Sequence, residues 1–442
     1  MVRGIVVRLL VFLAVPIAFF SPFNGILWYL WYSHFRPNDF IWPQYAFKSG
    51  ALLIAVATLA GYCLFEVPHS PPRWRGLLLV TLFWLWIGVA AIFANDRALA
   101  FWKFSQYTNI LVMTFLIAAM ANSEARIRAM ITVAGVSVGL LGLRATAEFL
   151  LTGGQFRVLG VGGVELEANE FALALNMAVA ILGGLSFVEN RRWLRISFRV
   201  LALCCVVAVV GTFSRSGFLG LSIALLLLAW YSNRRKVSLS ALALVFVVLL
   251  PFAPKKALER YQSIPTAAEL DPSAIARIQT WETGIRMVKA HPILGVGPSN
   301  FQSQYSHYLV EKYLSAANYH PRAPHNAYVA LAAESGIPSM LLFVSFIGAT
   351  AATMWSLRGK TKNIPGMQEL SYYCLTIQIT LMVYLIPNFF ISRQNEDLMY
   401  HLIGISSGLA AVVRARLAES EAEQAEELSD SSLPESDFSL SP

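Results

Sequence analysis

Charge is what this chain has least of. Charged residues make up 14% of its 442 positions, against about 25% in a soluble globular domain. That excludes an ordinary water-soluble fold. Cysteine is scarce too: the four residues Cys63, Cys204, Cys205 and Cys374 all fall in apolar runs and read as small buried hydrophobes. A disulfide framework and a thiolate metal site are therefore not expected. The seven histidines form no HExxH pair, and no clustered Cys/His or outward DxD appears, so no metal site and no cofactor are expected. No internal repeat stands out, which weighs against a transporter built from inverted halves. The formal charge of +8 does not point to nucleic acid, because Arg and Lys sit in short clusters at the ends of apolar runs.

What the chain does have is apolar sequence. Hydrophobic residues make up 56% and the mean hydropathy is +0.56. A spanning helix needs about 20 mostly apolar residues. Twelve runs qualify: 5–31, 46–65, 76–94, 104–121, 127–150, 170–187, 196–213, 217–231, 237–253, 337–355, 369–391 and 397–413. The reading is an all-α polytopic membrane protein, with one membrane domain over 1–417 and a large loop over 254–336 that contains short helices. The first run holds Pro16 and Pro22 and is read as one kinked crossing or a shallow hairpin. It passes for a first span rather than a cleaved leader. The tail from 418 to 442, rich in Glu and Ser, is read as a disordered cytoplasmic segment.

Orientation follows the bias of Arg and Lys toward the cytoplasm. Arg3 and Arg8 precede the first span, and every even-numbered exit is basic, from Arg73 and Arg75 to Arg414 and Arg416. Both termini are then cytoplasmic, and the long loop faces out. That loop is itself basic, with Lys255, Arg260, Arg277, Arg286 and Arg322 among others. Long loops translocate regardless of charge, and a basic outward pocket suits an anionic ligand.

The residues able to do chemistry gather in or beside that loop, which holds His291, His307, His320 and His325. Arg215 lies between two apolar runs with almost no connector, flanked by Ser214, Ser216 and Gly217. Read blandly it snorkels to headgroups; read functionally it meets a substrate that the small flanking residues let approach. Arg277 lies on a helix expected from Pro272, whose apolar positions Ile278, Trp281, Ile285 and Val288 recur every three or four residues. Arg286 and Lys289 on the same helix read as solvated. The stretch Leu294-Gly-Val-Gly-Pro-Ser-Asn-Phe301 reads as a tight turn, since it lacks the Lys-Ser/Thr of a phosphate loop. His325-Asn326 precedes a short helical segment ending at Glu334-Ser-Gly336. A histidine there suits proton transfer from a sugar hydroxyl, although spacing alone favours a capping residue. Arg157, Asn169 and Glu170 face outward at the ends of two spans. Arg144 and Glu148 are one turn apart and read as a structural pair.

In combination these residues resemble the O-antigen ligase and O-antigen polymerase superfamily. Arg215-Ser-Gly-Phe-Leu219 fits its Arg-x3-Leu. Arg277, Trp281 and the His291-Pro…Leu-Gly-Val-Gly block resemble the opening of its large outer loop. His325-Asn326 followed by Gly336 fits its closing motif, with Ser339 standing where Gly, Thr or Tyr is usual. The match covers about residues 200–350. Ser21-Pro-Phe, Leu151-Thr-Gly-Gly-Gln-Phe-Arg157 and Asn169-Glu170-Phe-Ala-Leu-Ala-Leu-Asn-Met177 are also similar to the O-glycosylation ligases associated with exosortase systems in exopolysaccharide-producing bacteria. The resemblance implies a membrane glycosyltransferase of the bacterial inner membrane. It would move a glycan from an undecaprenyl-diphosphate carrier to an acceptor hydroxyl in the periplasm, without a metal and with inversion. Arg215 and Arg277 would clamp the diphosphate and His325 would activate the acceptor. Arg157, Asn169, Glu170, Asn326 and Glu334 would line the substrate site. The expected partners are the lipid-linked glycan donor, a glycan, lipid or protein acceptor, and the bilayer, with no nucleic acid. A polysaccharide polymerase of the same superfamily shares this donor chemistry. The competing class, a lipid or anion transporter, would need ionisable residues midway through several spans.

Overall fold

The computed structural model describes residues 2–42, 45–47, 49–66, 75–160, 167–232, 234–240, 272–309 and 322–431. Helices dominate these residues, and among them there is no strand. The chain is an all-α polytopic membrane protein. Seven described helices are long and apolar enough to cross a membrane, and three more apolar helices are shorter. In order the principal helices are α1 (Val2–Phe20), α2 (Pro22–Phe35), α3 (Gly50–Phe65), α4 (Arg75–Ile92), α5 (Arg97–Met120), α6 (Glu124–Leu151), α7 (Ala168–Val188), α8 (Arg192–Gly211), α9 (Arg215–Tyr231), α10 (Pro272–Ala290), α11 (Ala327–Thr361), α12 (Gln368–Leu385) and α13 (Asp397–Ser431). Ten of the twelve expected spans each coincide with one of these helices. The expected span 237–253 lies for the most part outside the described residues, as do all of residues 254–271 and His320.

The first apolar run is two helices. Ser21 has left the helical region (φ −136°, ψ 81°), and Pro22 opens α2 without needing a backbone donor. Leu10 and Trp31 line one groove with Ile17 and Asn24, the pairing of an antiparallel hairpin. Arg8 reaches back to donate to the Tyr45 carbonyl at 3.5 Å. Gly61 of α3 packs on the Phe19 backbone, and Gly50 on Tyr32 and Val11. Val2 and the 36–47 turn therefore share one end of the bundle, and Phe20 lies at the other. Arg416 of α13 sits at that other end, paired with Glu124 at 3.0 Å. The sequence reading put both termini on one side; in the structure the α1–α2 hairpin places Val2 and Arg416 at opposite ends of the bundle.

The two ends differ in chemistry. The far end is laced by ion pairs between helix termini. Arg126 grips Glu66 with two nitrogens at 3.0 and 3.1 Å, and Arg128 meets Glu189 at 2.6 Å and Glu369 at 3.2 Å. These are basic positions that the sequence assigned to cytoplasmic exits. Arg144 and Glu148, near the other end, approach only to 3.9 Å and are largely exposed. That other end, here the loop end, carries α10, the 291–309 segment and the connector 386–396. Between the ends, α7, α12 and α13 form the buried centre. Small residues bring helices close: Gly184 leaves no room for a methyl against Thr376, and Gly142 none against Cys205. The last helix continues to Ser431, so residues 418–431, expected to be disordered, are helical; 432–442 lie outside the described residues.

Candidate functional site

Two helix starts fix the arginine motif. Ser214 caps α9: its hydroxyl accepts from the Gly217 amide at 3.0 Å and donates to Asn169 Oδ1 at 2.6 Å. A serine oxygen at this position satisfies one of the free amides of the first turn. Arg215 is the first residue of α9, so its guanidinium emerges where α9 and the start of α7 are tied together. Phe213, two residues earlier, is in the left-handed region at φ 49°, a conformation that costs a bulky residue about 1–3 kcal/mol. The Arg157 segment leans on the same turn. Arg157 Nε donates to the Thr212 carbonyl at 2.8 Å, and the Val158 amide to Gly211 at 2.8 Å.

His325 is set by a second group of contacts. Trp281 Nε1 donates to the Pro324 carbonyl at 2.8 Å, which fastens the turn before His325 to α10. Arg277 lies one turn before Trp281 on that helix, half-buried. His325 itself holds φ 46°, so this imidazole is presented from strained backbone, the kind of outlier that clusters at working sites. Burial pushes its pKa below 6.5, and the nearby Arg277 and Arg322 push the same way, against the Glu167 carboxylate. The ring is therefore neutral at pH 7, with a lone pair to accept a proton. Asn326 caps α11, its Oδ1 accepting from the Tyr328 and Val329 amides at 3.0 and 3.1 Å. With that oxygen engaged, Asn326 fixes the start of α11 directly after His325. The Asn326 amide in turn donates to Ser392 Oγ at 3.1 Å.

The glycine-rich stretch is a clamp on a broken helix. Gly336 interrupts α11 with φ 81° and ψ 166°, and Pro338 follows. The break frees carbonyls that the 291–301 segment takes up. The Val296 amide donates to Ala333 O at 2.9 Å, Gly297 to Glu334 O at 2.8 Å, and Ile337 to Pro292 O at 2.9 Å. A Cβ on Gly336 would lie 1.8 Å from the Ile293 carbonyl oxygen, so only glycine fits. This is the expected tight turn, and it explains physically why the closing motif ends in glycine. Glu334 lies beneath this clamp, receiving the Phe301 amide at 3.4 Å, away from His325. His291 pairs with the Tyr308 hydroxyl at 2.8 Å.

The structure thus brings Arg157, Asn169, Glu170 and Arg215 together around the starts of α7 and α9, and Arg277, His325 and Asn326 around the start of α11. The connector 386–396 joins the groups, and the sequence reading missed it. Arg393 meets Glu170 at 2.9 Å and Glu396 at 3.9 Å. Its backbone amide donates to Asn388 Oδ1 at 3.2 Å, and its carbonyl accepts from the Tyr384 hydroxyl at 2.7 Å. Lys103, near the start of α5, faces the same region, within electrostatic reach of Glu334, Arg393 and Glu170. The available signal was a run of charges, Arg393, Glu396 and Asp397, between the last two spans. Among the described residues, no group of three or more His, Cys, Asp and Glu side chains is arranged to hold a metal ion.

Compared with known proteins, residues 200–344 match the family model described as O-Antigen ligase. None of the curated proteins matches the chain. The matched span runs from within α8 to within α11 and contains Arg215, Arg277, His325 and the Gly336 clamp. Over these residues, about a third of its length, the polytopic membrane protein is similar to the O-antigen ligase family.

Proposed function

We propose that the protein transfers a glycan from an undecaprenyl-diphosphate-linked donor to an acceptor hydroxyl at the loop end, and that this end faces the periplasm across the bacterial inner membrane. One observation carries the reading: a neutral, deep-set His325 lies in the field of Arg277, at the end of the bundle where Arg215 starts α9.

The chemistry follows from these groups. The acceptor oxygen attacks the anomeric carbon from the face opposite the diphosphate. Its proton passes to the His325 ring nitrogen, a general base that contributes about 10²–10⁴ in rate. The bond from the anomeric carbon to the phosphate oxygen breaks, and undecaprenyl diphosphate leaves with the bonding electrons. Arg215 and Arg277 neutralise the charge that develops on it, and their planar forks suit phosphate oxygens. Inversion follows from the opposite-face attack. A ligase and a polymerase share every one of these steps and differ in the acceptor.

The test is incorporation of glycan from purified undecaprenyl-diphosphate-linked donor by the protein in liposomes, in EDTA. Product that requires both donor and acceptor supports the reading. Failure to release undecaprenyl diphosphate, or activity that EDTA abolishes and a divalent ion restores, overturns it.

A further inference from the structure

The α1–α2 hairpin does not close against α6. A groove of about 690 Å³ stays open between them, lined by Leu10 and Ile17 of α1, Trp28 and Trp31 of α2, and Thr132 and Leu140 of α6. Its polar members are satisfied locally. The Ser137 hydroxyl donates to the Val133 carbonyl at 2.6 Å, and Asn24 Nδ2 to Ser21 Oγ at 3.0 Å. What the groove offers is apolar surface. It lies among membrane-spanning helices, where water finds no partners and an empty space forfeits dispersion contacts. A hydrocarbon chain is what fills it.

The groove opens into a second cavity, of about 440 Å³, and Thr132 lines both. This cavity sits at the far end, between Arg128 on α6, Glu189 and Arg191 after α7, and Leu194 and Phe198 on α8. Arg128 spends its charge on Glu189 at 2.6 Å and Glu369 at 3.2 Å. Arg191 meets Glu189 through its backbone amide at 2.8 Å, and its side chain is exposed. The other charges at the start of α6 are matched: Glu124 pairs with Arg416 and Arg126 with Glu66. Arg191, with Arg192 and Arg195 behind it, therefore leaves the rim positive, which suits an added negative charge.

The length of the combined space names its occupant. Arg128, Thr132, Val136 and Leu140 form one row on α6, four residues apart, and none of them is buried. From Arg128 to Leu140 the helix rises about 18 Å, against about 15 Å for half of a hydrocarbon layer about 30 Å thick. Cavity and groove together thus match one leaflet. At the groove's other mouth, one turn beyond Leu140, Arg144 is already engaged, over the Phe40 ring at 4.7 Å and 3.9 Å from Glu148.

We propose that the cavity and the groove together hold one anionic phospholipid of the leaflet at the far end, with its phosphate on Arg191 and an acyl chain between α6 and the α1–α2 hairpin. The lipid is a wedge that fixes the hairpin to the bundle, and nothing in its binding depends on glycan transfer. The experiment uses the full chain, stripped of lipid in detergent. The probe is dioleoyl phosphatidylglycerol, with dioleoyl phosphatidylcholine for comparison. Native mass spectrometry should count one phosphatidylglycerol per protein, held more tightly than phosphatidylcholine, and its addition should raise the melting temperature. Arg191→Gln should weaken that binding about tenfold, the loss of one charge-assisted contact. Leu140→Trp, which narrows the groove at its exposed rim, should abolish both the binding and the rise in melting. Arg144→Gln should bind like the wild type. If Leu140→Trp does not fold, phosphatidylglycerol with a photoreactive acyl chain tests the groove in the wild type. It should label residues 24–31 and 132–140, and labelling elsewhere overturns the proposal. So does equal binding of the two phospholipids, or wild-type binding in Arg191→Gln. Loss of binding in Arg144→Gln alone, or displacement of the phospholipid by undecaprenyl diphosphate, also overturns it, since the groove would then belong to a lipid whose headgroup lies at the loop end.

Discussion

Gly336→Ala tests whether the broken helix and its clamp are one unit. At φ 81° and ψ 166° an alanine is confined to backbone that glycine alone adopts readily, at a cost of about 1–3 kcal/mol. Its methyl would also lie 1.8 Å from the Ile293 carbonyl oxygen, so residues 292–297 must move away. That removes the bonds from Val296, Gly297 and Ile337 to Ala333, Glu334 and Pro292, each contributing about 0.5–1.5 kcal/mol. The expected loss is about 3–7 kcal/mol, a large fraction of a typical folding free energy. Purified in detergent, the variant should melt well below the wild type. Amides 292–301 should lose hydrogen-exchange protection, and transfer should fall with them because His325 lies just ahead of the first residue of the same helix. A variant that melts like the wild type with the clamp still protected would refute the reasoning.

Three further outcomes are expected. His325→Ala should lower transfer by about 10²–10⁴ in a protein that still inserts. The wild-type rate should hold at pH 7 and fall only as pH drops through a pKa lowered below 6.5, since the neutral ring is the base. An acid limb centred above pH 7, or one that persists in His325→Ala, counts against the assignment. Arg215→Lys should be about a hundredfold slower, because a point charge does not reproduce a forked contact, and full activity in that variant rules the clamp out. Cysteines at Val2 and Ser303 should react with an impermeant thiol reagent in intact spheroplasts while one at Glu423 stays protected. Labelling of Val2 and Glu423 together would contradict the hairpin.

Most spans were legible because apolar length alone defines them. The first run was not. At 27 residues it falls short of two 20-residue crossings, yet Ser21 and Pro22 fold it into helices of 19 and 14 residues. The tail was misread for the opposite reason. Its glutamates suggested a solvated coil, but with its alanines they are good helix formers and extend a helix already nucleated in the bundle. At the site, Arg215 and His325 stood out through their glycine and serine neighbours and the motif. Arg393 and Lys103 did not. An isolated charge beside a span looks like an interfacial anchor, and pairing Glu170 with Arg393 joins residues more than 200 positions apart, which no local pattern encodes.

The shortness of α2 has a consequence for the lipid around it. Fourteen residues rise about 21 Å, whereas the hydrocarbon layer is about 30 Å thick. The neighbouring α3, at 16 residues, reaches only about 24 Å. Where lipid meets the exposed face of α3, thinning of the bilayer is one response to this mismatch, and it would lower the headgroup plane toward the protein's middle. A polyprenyl diphosphate diffusing there would be drawn inward with that plane. The bundle would in this way sculpt its own entry ramp, and transfer in bilayers of increasing acyl length should slow as the dip becomes costlier to make.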